Sequence, residues 1–266
     1  MYSYISANIS ESYFSNRQDS YVCINDMNLA EYLHSFTLLY SQCIEDQNEQ
    51  HFSNALSELN SRFKPSIVDS SEGIYCVPVC SIFAGKIGVL KEFYFRLLRL
   101  DRLDSCILTP YFNIPEELAI CLSPMKDLVI TSSETTDCAK NLENSSLISK
   151  IYRSTVNDFA RTKDIPIFEY NKEGFSFHSK GFNASYGDCK LASFGSSNFN
   201  YRSLFLDSEL DFILFSKSGT ESMRLFEVYS LLFLFLEGQE PQESLCEDQP
   251  QCKTTVIHGQ NFIADG

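Results

Sequence analysis

Apolar and polar positions along this chain follow two rhythms. Between residues 28 and 44, Leu29, Leu33, Phe36 and Tyr40 recur at helical spacing and give a helix with one apolar face. Residues 52–63 repeat that amphipathic pattern, and 65–73 read as a loop. Short apolar runs at 21–24, 74–83 and 106–109 suit strands, with a helix at 89–100 between the last two, which makes a β-α-β unit. Runs at 128–131, 165–170, 175–182, 190–194 and 209–215 continue the sheet, and 145–163 supplies another helix. The expected fold is α/β, a mixed sheet flanked by helices.

The run 175–182 holds more than a strand pattern. If residues 176–180 are extended beside 190–194, the period of two puts His178 and Lys180 on one face and turns Phe175 and Phe177 into a core. An imidazole can attack phosphorus or relay a proton, and a neighbouring ammonium can hold phosphate oxygens. Ser196 and Asn198, on a turn opened by Gly195, add hydroxyl, amide and backbone donors, and Glu209 is placed to orient the imidazole. An H-x-K pair alone would read as two surface residues on an edge strand. The ordered set of His178, Lys180, Gly195, Ser196, Asn198 and Glu209 is far more specific, and it requires no metal and no cofactor.

With these motifs the chain resembles the phospholipase D superfamily, whose signature is H-x-K, an Asp, then G-S-x-N. Within it the resemblance is to the eukaryotic mitochondrial CDP-diacylglycerol–glycerol-3-phosphate 3-phosphatidyltransferases, the phosphatidylglycerophosphate synthases. It is carried by F-H-S-K-G at 177–181, G-S-S-N-F-N-Y-R-S at 195–203, T-P-Y-F-N at 109–113 and A-N-I-S-E-S-Y-F-S-N-R-Q-D-S-Y-V at 7–22. One departure is Ser185, which stands five positions after the lysine where the Asp is expected; Asp188 reads as a loop residue. The resemblance implies transfer of the phosphatidyl group of CDP-diacylglycerol to glycerol 3-phosphate with release of CMP, a mitochondrial location and peripheral membrane contact. It also implies a nucleophilic histidine in a first motif, His178 as acid/base partner, Lys180 and Asn198 as phosphate clamps, and Glu209 as orienting carboxylate. The alternatives are a phospholipase D-like hydrolase or nuclease, or a truncated fragment that binds lipid phosphate without catalysis.

An internal repeat agrees with a two-part site. Ser6-Ala7-Asn8 aligns with Ser196-Ser197-Asn198, and Asp19 follows Asn8 by the eleven positions that separate Glu209 from Asn198. Ser6 and Asn8 are therefore candidate phosphate ligands and Asp19 a candidate orienting carboxylate, all expected in the cleft of His178. Only seven residues precede Asn8 and none is His, Lys or Asp, so the chain is expected to begin inside the first motif and to be inactive alone. The expected domains are a remnant first lobe at 1–71, a second lobe at 72–237 and a disordered acidic tail at 238–266.

Composition narrows the partners. A formal charge of −14 argues against nucleic acid and against electrostatic adhesion to anionic lipid, while 22 Phe and 14 Tyr can fill a large core. Ten scattered cysteines include no C-x-x-C pair, and Cys76 and Cys80, four apart in an apolar run, suit buried thiols better than zinc. The apolar run 231–236 is too short to span a bilayer and reads as a buried helix face. Lys86 between Gly85 and Gly88 lacks the rest of a phosphate loop and reads as a turn before a helix.

Overall fold

A computed structural model of the chain describes residues 2–5, 15–19, 21–24, 26–46, 48–63, 66–69, 74–82, 87–100, 103–123, 127–132, 145–217, 242–243 and 254–258. In chain order its elements are β1 (Tyr2–Ile5), β2 (Arg17–Gln18), β3 (Tyr21–Ile24), α1 (Met27–Asp46), α2 (Glu49–Arg62), β4 (Ser66–Asp69), β5 (Ile74–Ile82) and β6 (Ile87–Gly88). There follow α3 (Leu90–Leu98), β7 (Leu103–Leu108), α4 (Glu116–Ala119), β8 (Asp127–Ser132), α5 (Ser145–Lys163), β9 (Ile167–Asn171), β10 (Ser176–Phe177) and β11 (Gly181–Tyr186). The last are β12 (Cys189–Gly195), α6 (Tyr201–Phe205), β13 (Glu209–Lys217), β14 (Gln242–Glu243) and β15 (Thr254–His258).

The expected α/β architecture is present as an eleven-stranded mixed sheet in the order β14-β15-β9-β8-β7-β11-β12-β13-β5-β4, with β6 on β5. Strands β15, β9, β8 and β7 run parallel, as the crossover helix α5 between β8 and β9 requires; from β7 to β4 the pairing is antiparallel. Alternate residues feed opposite faces. Ile107, Val129, Ile167, Phe182 and Ile213 join Leu90, Tyr94 and Leu98 of α3 and Val156 of α5 in one core. Their neighbours Cys76, Ala192, Phe194, Phe212 and Leu214 pack on the other face with Leu29 of α1. Helices α1 and α2 close over Cys80 and Ile82 through Tyr32, Phe36, Phe52 and Leu56. Helix entry is set by side chains: Asp26 Oδ1 accepts from Leu29 N at 2.7 Å, and Asn48 Oδ1 from His51 N at 3.0 Å.

Three expectations need correction. The stretch 175–182 is not one strand. Ser176 and Phe177 pair with Arg17 and Gln18 of β2, outside the large sheet. His178 N donates to Gln18 O at 2.8 Å, after which the backbone leaves this pair and re-enters the large sheet at Gly181. The partner of 190–194 is accordingly Gly181–Tyr186, because one strand edge cannot serve both ladders. Second, the expected loop 65–73 contains strand β4, paired with β5, so the sheet crosses the proposed boundary at residue 71. Third, of the tail expected to be disordered, Gln242–Glu243 and Thr254–His258 are described, and they pair at the sheet edge. Ser6, Asn8, Lys86 and the run 231–236 lie outside the described residues. Cys76 and Cys80 are buried, and desolvation pushes their thiols up to about 12 and about 11. Among the described residues no helix is long and apolar enough to cross a membrane.

Candidate active site

The strand ends place the chemistry. Gly181 pairs with both Leu108 and Phe194, so Lys180 lies one step beyond, level with Thr109 at the end of β7 and Gly195 at the end of β12. Gly195 pairs with Asp211, which puts Glu209 at the same end of the sheet. Open α/β sheets bind ligands beyond the strand ends that loops leave uncovered. The side-chain positions follow from packing as well: Phe177 is fully buried against Leu108, Ile130 and Tyr170, and that anchor fixes where the next three residues emerge.

His178 Nδ1 lies 2.8 Å from Asp19 Oδ2, and Asp19 is itself buried. Lys180 Nζ is 2.9 Å from Nδ1, 3.0 Å from Nε2 and 3.0 Å from the His178 carbonyl oxygen, to which it donates. A tautomer with the proton on Nδ1 satisfies this arrangement, with Nδ1–H donating to Asp19 and Nε2 accepting from the ammonium. Burial lowers the His178 pKa below its ordinary value; the hydrogen bond to Asp19 opposes that shift and the Lys180 charge adds to it. The imidazole is therefore neutral near pH 7, with a lone pair on the nitrogen away from Asp19.

The G-S-S-N turn is built around two carboxylates. Ser196 Oγ donates to Glu209 Oε2 and accepts from Leu210 N at 3.0 Å. Ser203 Oγ accepts from Asn198 N at 3.1 Å. Burial raises the Glu209 pKa, with the Ser196 and Ser203 hydrogen bonds acting against it. Beneath the turn, Asp211 is almost entirely buried and accepts from Ser197 N at 3.1 Å and from Tyr94 OH at 3.0 Å. A Cβ at position 195 would fall 2.2 Å from Asp211 Oδ1, so glycine is what allows the turn to sit on that carboxylate. The T-P-Y-F-N loop straps the turn from the other side. Thr109 Oγ1 accepts from Phe199 N at 3.1 Å and reaches Asn198 Oδ1 at 3.5 Å, Asn113 N donates to Phe199 O, and Tyr201 N donates to Asn113 O.

The structure thus assembles the sequence candidates in two groups. One holds His178, Lys180 and Asp19; the other holds Ser196, Asn198 and Glu209. The carboxylate on His178 is Asp19, whereas Glu209 is engaged with Ser196. Ser185 receives Lys190 Nζ at 2.7 Å on β11 and Asp188 lies in the turn after it, both away from the strand ends that carry the site. Sequence reasoning missed Asp211, Tyr94 and Ser203. An acid in the otherwise apolar alternation of β13, two positions after Glu209 and so on its face, was the signal for Asp211.

No family model matches the sequence, and no curated protein matches it. Solved structures similar to the chain include the phosphatidylserine synthase of Haemophilus influenzae Rd KW20, at 16% identity and a TM-score of 0.49 over 60% of this chain and 38% of that one. Nuc, a phospholipase D family member from Salmonella typhimurium, is 11% identical with a TM-score of 0.39 over 60% of this chain and 95% of its own. Yeast tyrosyl-DNA phosphodiesterase is 13% identical with a TM-score of 0.34 over 61% and 40%. The chain thus spans under two-fifths of the synthase's length. The site reading rests on this chain's own geometry.

Proposed function

We propose that this chain carries one histidine half of a phospholipase D-like phosphoryl-transfer site, and that its reaction moves the phosphatidyl group of CDP-diacylglycerol to glycerol 3-phosphate. The observation that supports it most is the Asp19–His178 contact, made between residues 159 apart in the chain. In the internal repeat Asp19 and Glu209 hold equivalent places. Asp19 orients the histidine of the other half. By the same symmetry Glu209, set beside Ser196, is the orienting carboxylate for a histidine of the first half, and not for His178.

The roles follow from the side chains. Neutral His178 takes the proton of the glycerol 3-phosphate hydroxyl as that oxygen bonds to phosphorus, while the bond from phosphorus to the second histidine breaks. In the preceding half-reaction the imidazolium form of His178 gives its proton to the departing CMP oxygen and is left neutral, ready to act as base. Lys180 exchanges its contact with the imidazole for the phosphate oxygens, and Asn198 and the backbone of the G-S-S-N turn supply further donors. Within the 266 residues His178 is the only histidine in an H-x-K pair, so a second histidine has to be supplied for turnover. A mitochondrial site of action and contact with the lipid surface belong to the same proposal.

The test is CMP release from CDP-diacylglycerol that depends on glycerol 3-phosphate. The 266-residue chain alone should show negligible release, since losing one member of a catalytic unit removes several orders of magnitude of rate. Joining an H-x-K-bearing segment ahead of Met1 should produce release, and His178→Ala should then abolish it. Robust turnover by the chain alone, or turnover that survives His178→Ala, would contradict this reading.

A further inference from the structure

The register of the sheet lines up a row of buried polar side chains beyond the core. Leu108 pairs with Ile130 and Ile130 with Phe168, while Thr109 N donates to Ile130 O and Thr131 pairs with Glu169. Lys180, Thr109, Thr131 and Glu169 therefore occupy one level on successive strands, and all four are buried, with Glu169 only 1% exposed. They share the sheet face of Phe182, Ile107, Val129 and Ile167, two residues away in each case, which is the face covered by α5. The row begins at the proposed reaction centre. It ends at a carboxylate whose burial is costly and which no packing requirement explains, because an apolar residue would fill the place at no cost in stability.

Arg153 answers that carboxylate. It lies one helical turn before the core residue Val156 on α5, and its Nη1 is 2.7 Å from both oxygens of Glu169. A single guanidinium nitrogen makes the pair, so the remaining N–H groups of the fork have no partner among the described residues. The side chain is one-third exposed. Its neighbour Tyr152 packs in a tilted arrangement against Tyr111 of the T-P-Y-F-N loop with ring centroids 5.1 Å apart, and Arg202 lies within electrostatic reach of both Tyr152 and Glu209. This end of α5 therefore borders the same mouth as the G-S-S-N turn. From Lys180 to Glu169 is three strand spacings, about 14 Å between backbones. Lys180 Nζ, beside His178, and the Arg153 guanidinium, which meets Glu169 from α5, set one cation at each end of that row.

We propose that Arg153, held in place by Glu169, binds the phosphomonoester of the acceptor, in a subsite separate from the His178 and Lys180 centre and walled by Tyr111 and Tyr152. This rests on the proposed phosphatidyl transfer for the identity of the acceptor, but its test does not require turnover. Guanidinium is suited to the task because its planar fork pairs with two phosphate oxygens at once, while the buried carboxylate stops it from swinging away.

The 266-residue chain is titrated with glycerol 3-phosphate and with glycerol by calorimetry, while the Arg153 Nε–Hε resonance is followed by NMR. Glycerol 3-phosphate should bind and shift that resonance; glycerol should do neither. The paired change Arg153→Gln with Glu169→Gln leaves no unpartnered buried charge and should weaken binding by about tenfold or more, as expected on losing charge-assisted hydrogen bonds. Arg96→Gln, on the exposed face of α3, should leave binding intact. Equal binding of glycerol, an unmoved Arg153 resonance, or full affinity in the Gln–Gln pair would each overturn the proposal, and the resonance decides the matter even if that pair folds poorly. Binding with these properties but no CMP release once an H-x-K-bearing segment is joined ahead of Met1 would instead count against the proposed function alone.

Discussion

Asp19 is the residue on which the site turns. It reaches His178 across most of the chain, and its sequence credentials were its spacing from Asn8 and its place in the 7–22 resemblance. Its hydrogen bond raises a histidine pKa that burial lowers. Asp19→Asn removes the charge and keeps the shape, so the His178 titration followed by NMR should move to still lower pH; an upward shift would mean that Asp19 does not govern the ring. Gly195 is a second single-residue control. Gly195→Ala would drive a methyl group into Asp211 Oδ1 and the Leu210 carbonyl, at 2.2 and 2.5 Å. The backbone of both strands has to shift, so thermal or denaturant unfolding should show a loss of about 1–3 kcal/mol, the usual cost of overpacking. Displacement of Ser196 and Asn198 should accompany it.

At the scale of elements, α3 and β13 hold the phosphate turn from below. Tyr94 is fully buried, bonds both Asp211 and Ser193, and packs edge-on against Phe182 and Phe199. Tyr94→Phe keeps the ring and deletes the donor, leaving Asp211 short of a partner in a dry environment. A loss of about 1–3 kcal/mol on unfolding is expected, and unchanged stability would show that Asp211 is satisfied by other groups. Tyr94→Ala also forfeits the ring packing and should cost about 3–5 kcal/mol in total. Much at this scale was legible in advance. The helix at 145–163 and the strand at 21–24 appear at their expected bounds because their apolar periods are unambiguous. The run 175–182 was misread as one strand because alternation continues through His178 while the backbone changes partners, and no local pattern records a change of partner.

For the whole molecule, pH acts on the site through groups pulling in opposite directions. The folded pKa of His178 lies below its free value of 6.5, so as pH falls below about 6.5 the unfolded chain takes up the proton first and stability declines. The folded pKa of Glu209 lies above 4.5, so the unfolded chain loses its proton first as pH rises through that value, and stability declines in that direction. Glu209→Gln should therefore gain melting temperature relative to the parent chain as pH is raised from about 4 to 7. A constant difference across that range would show that Glu209 titrates normally in the folded protein.

The residue order by itself determined the chemistry on offer: an H-x-K pair, a G-S-S-N turn, a later acid, and apolar periods sufficient for a mixed α/β sheet. These are legible because periodicity and motif spacing are local properties of a covalent chain. Which acid meets which base was decided only by tertiary structure. Local pattern favoured Glu209 as the partner of His178, and folding delivered Asp19, because the short parallel pairing of β2 with β10 brings residues 17–18 beside 176–177. The burial that shifts the His178, Glu209 and Asp211 pKa values, the strap from Thr109 to Asn198, and the row that ends at Glu169 and Arg153 have the same origin. Each depends on strands and helices distant in sequence coming to one end of the sheet, where loss of water and fixed distances turn separate side chains into a site.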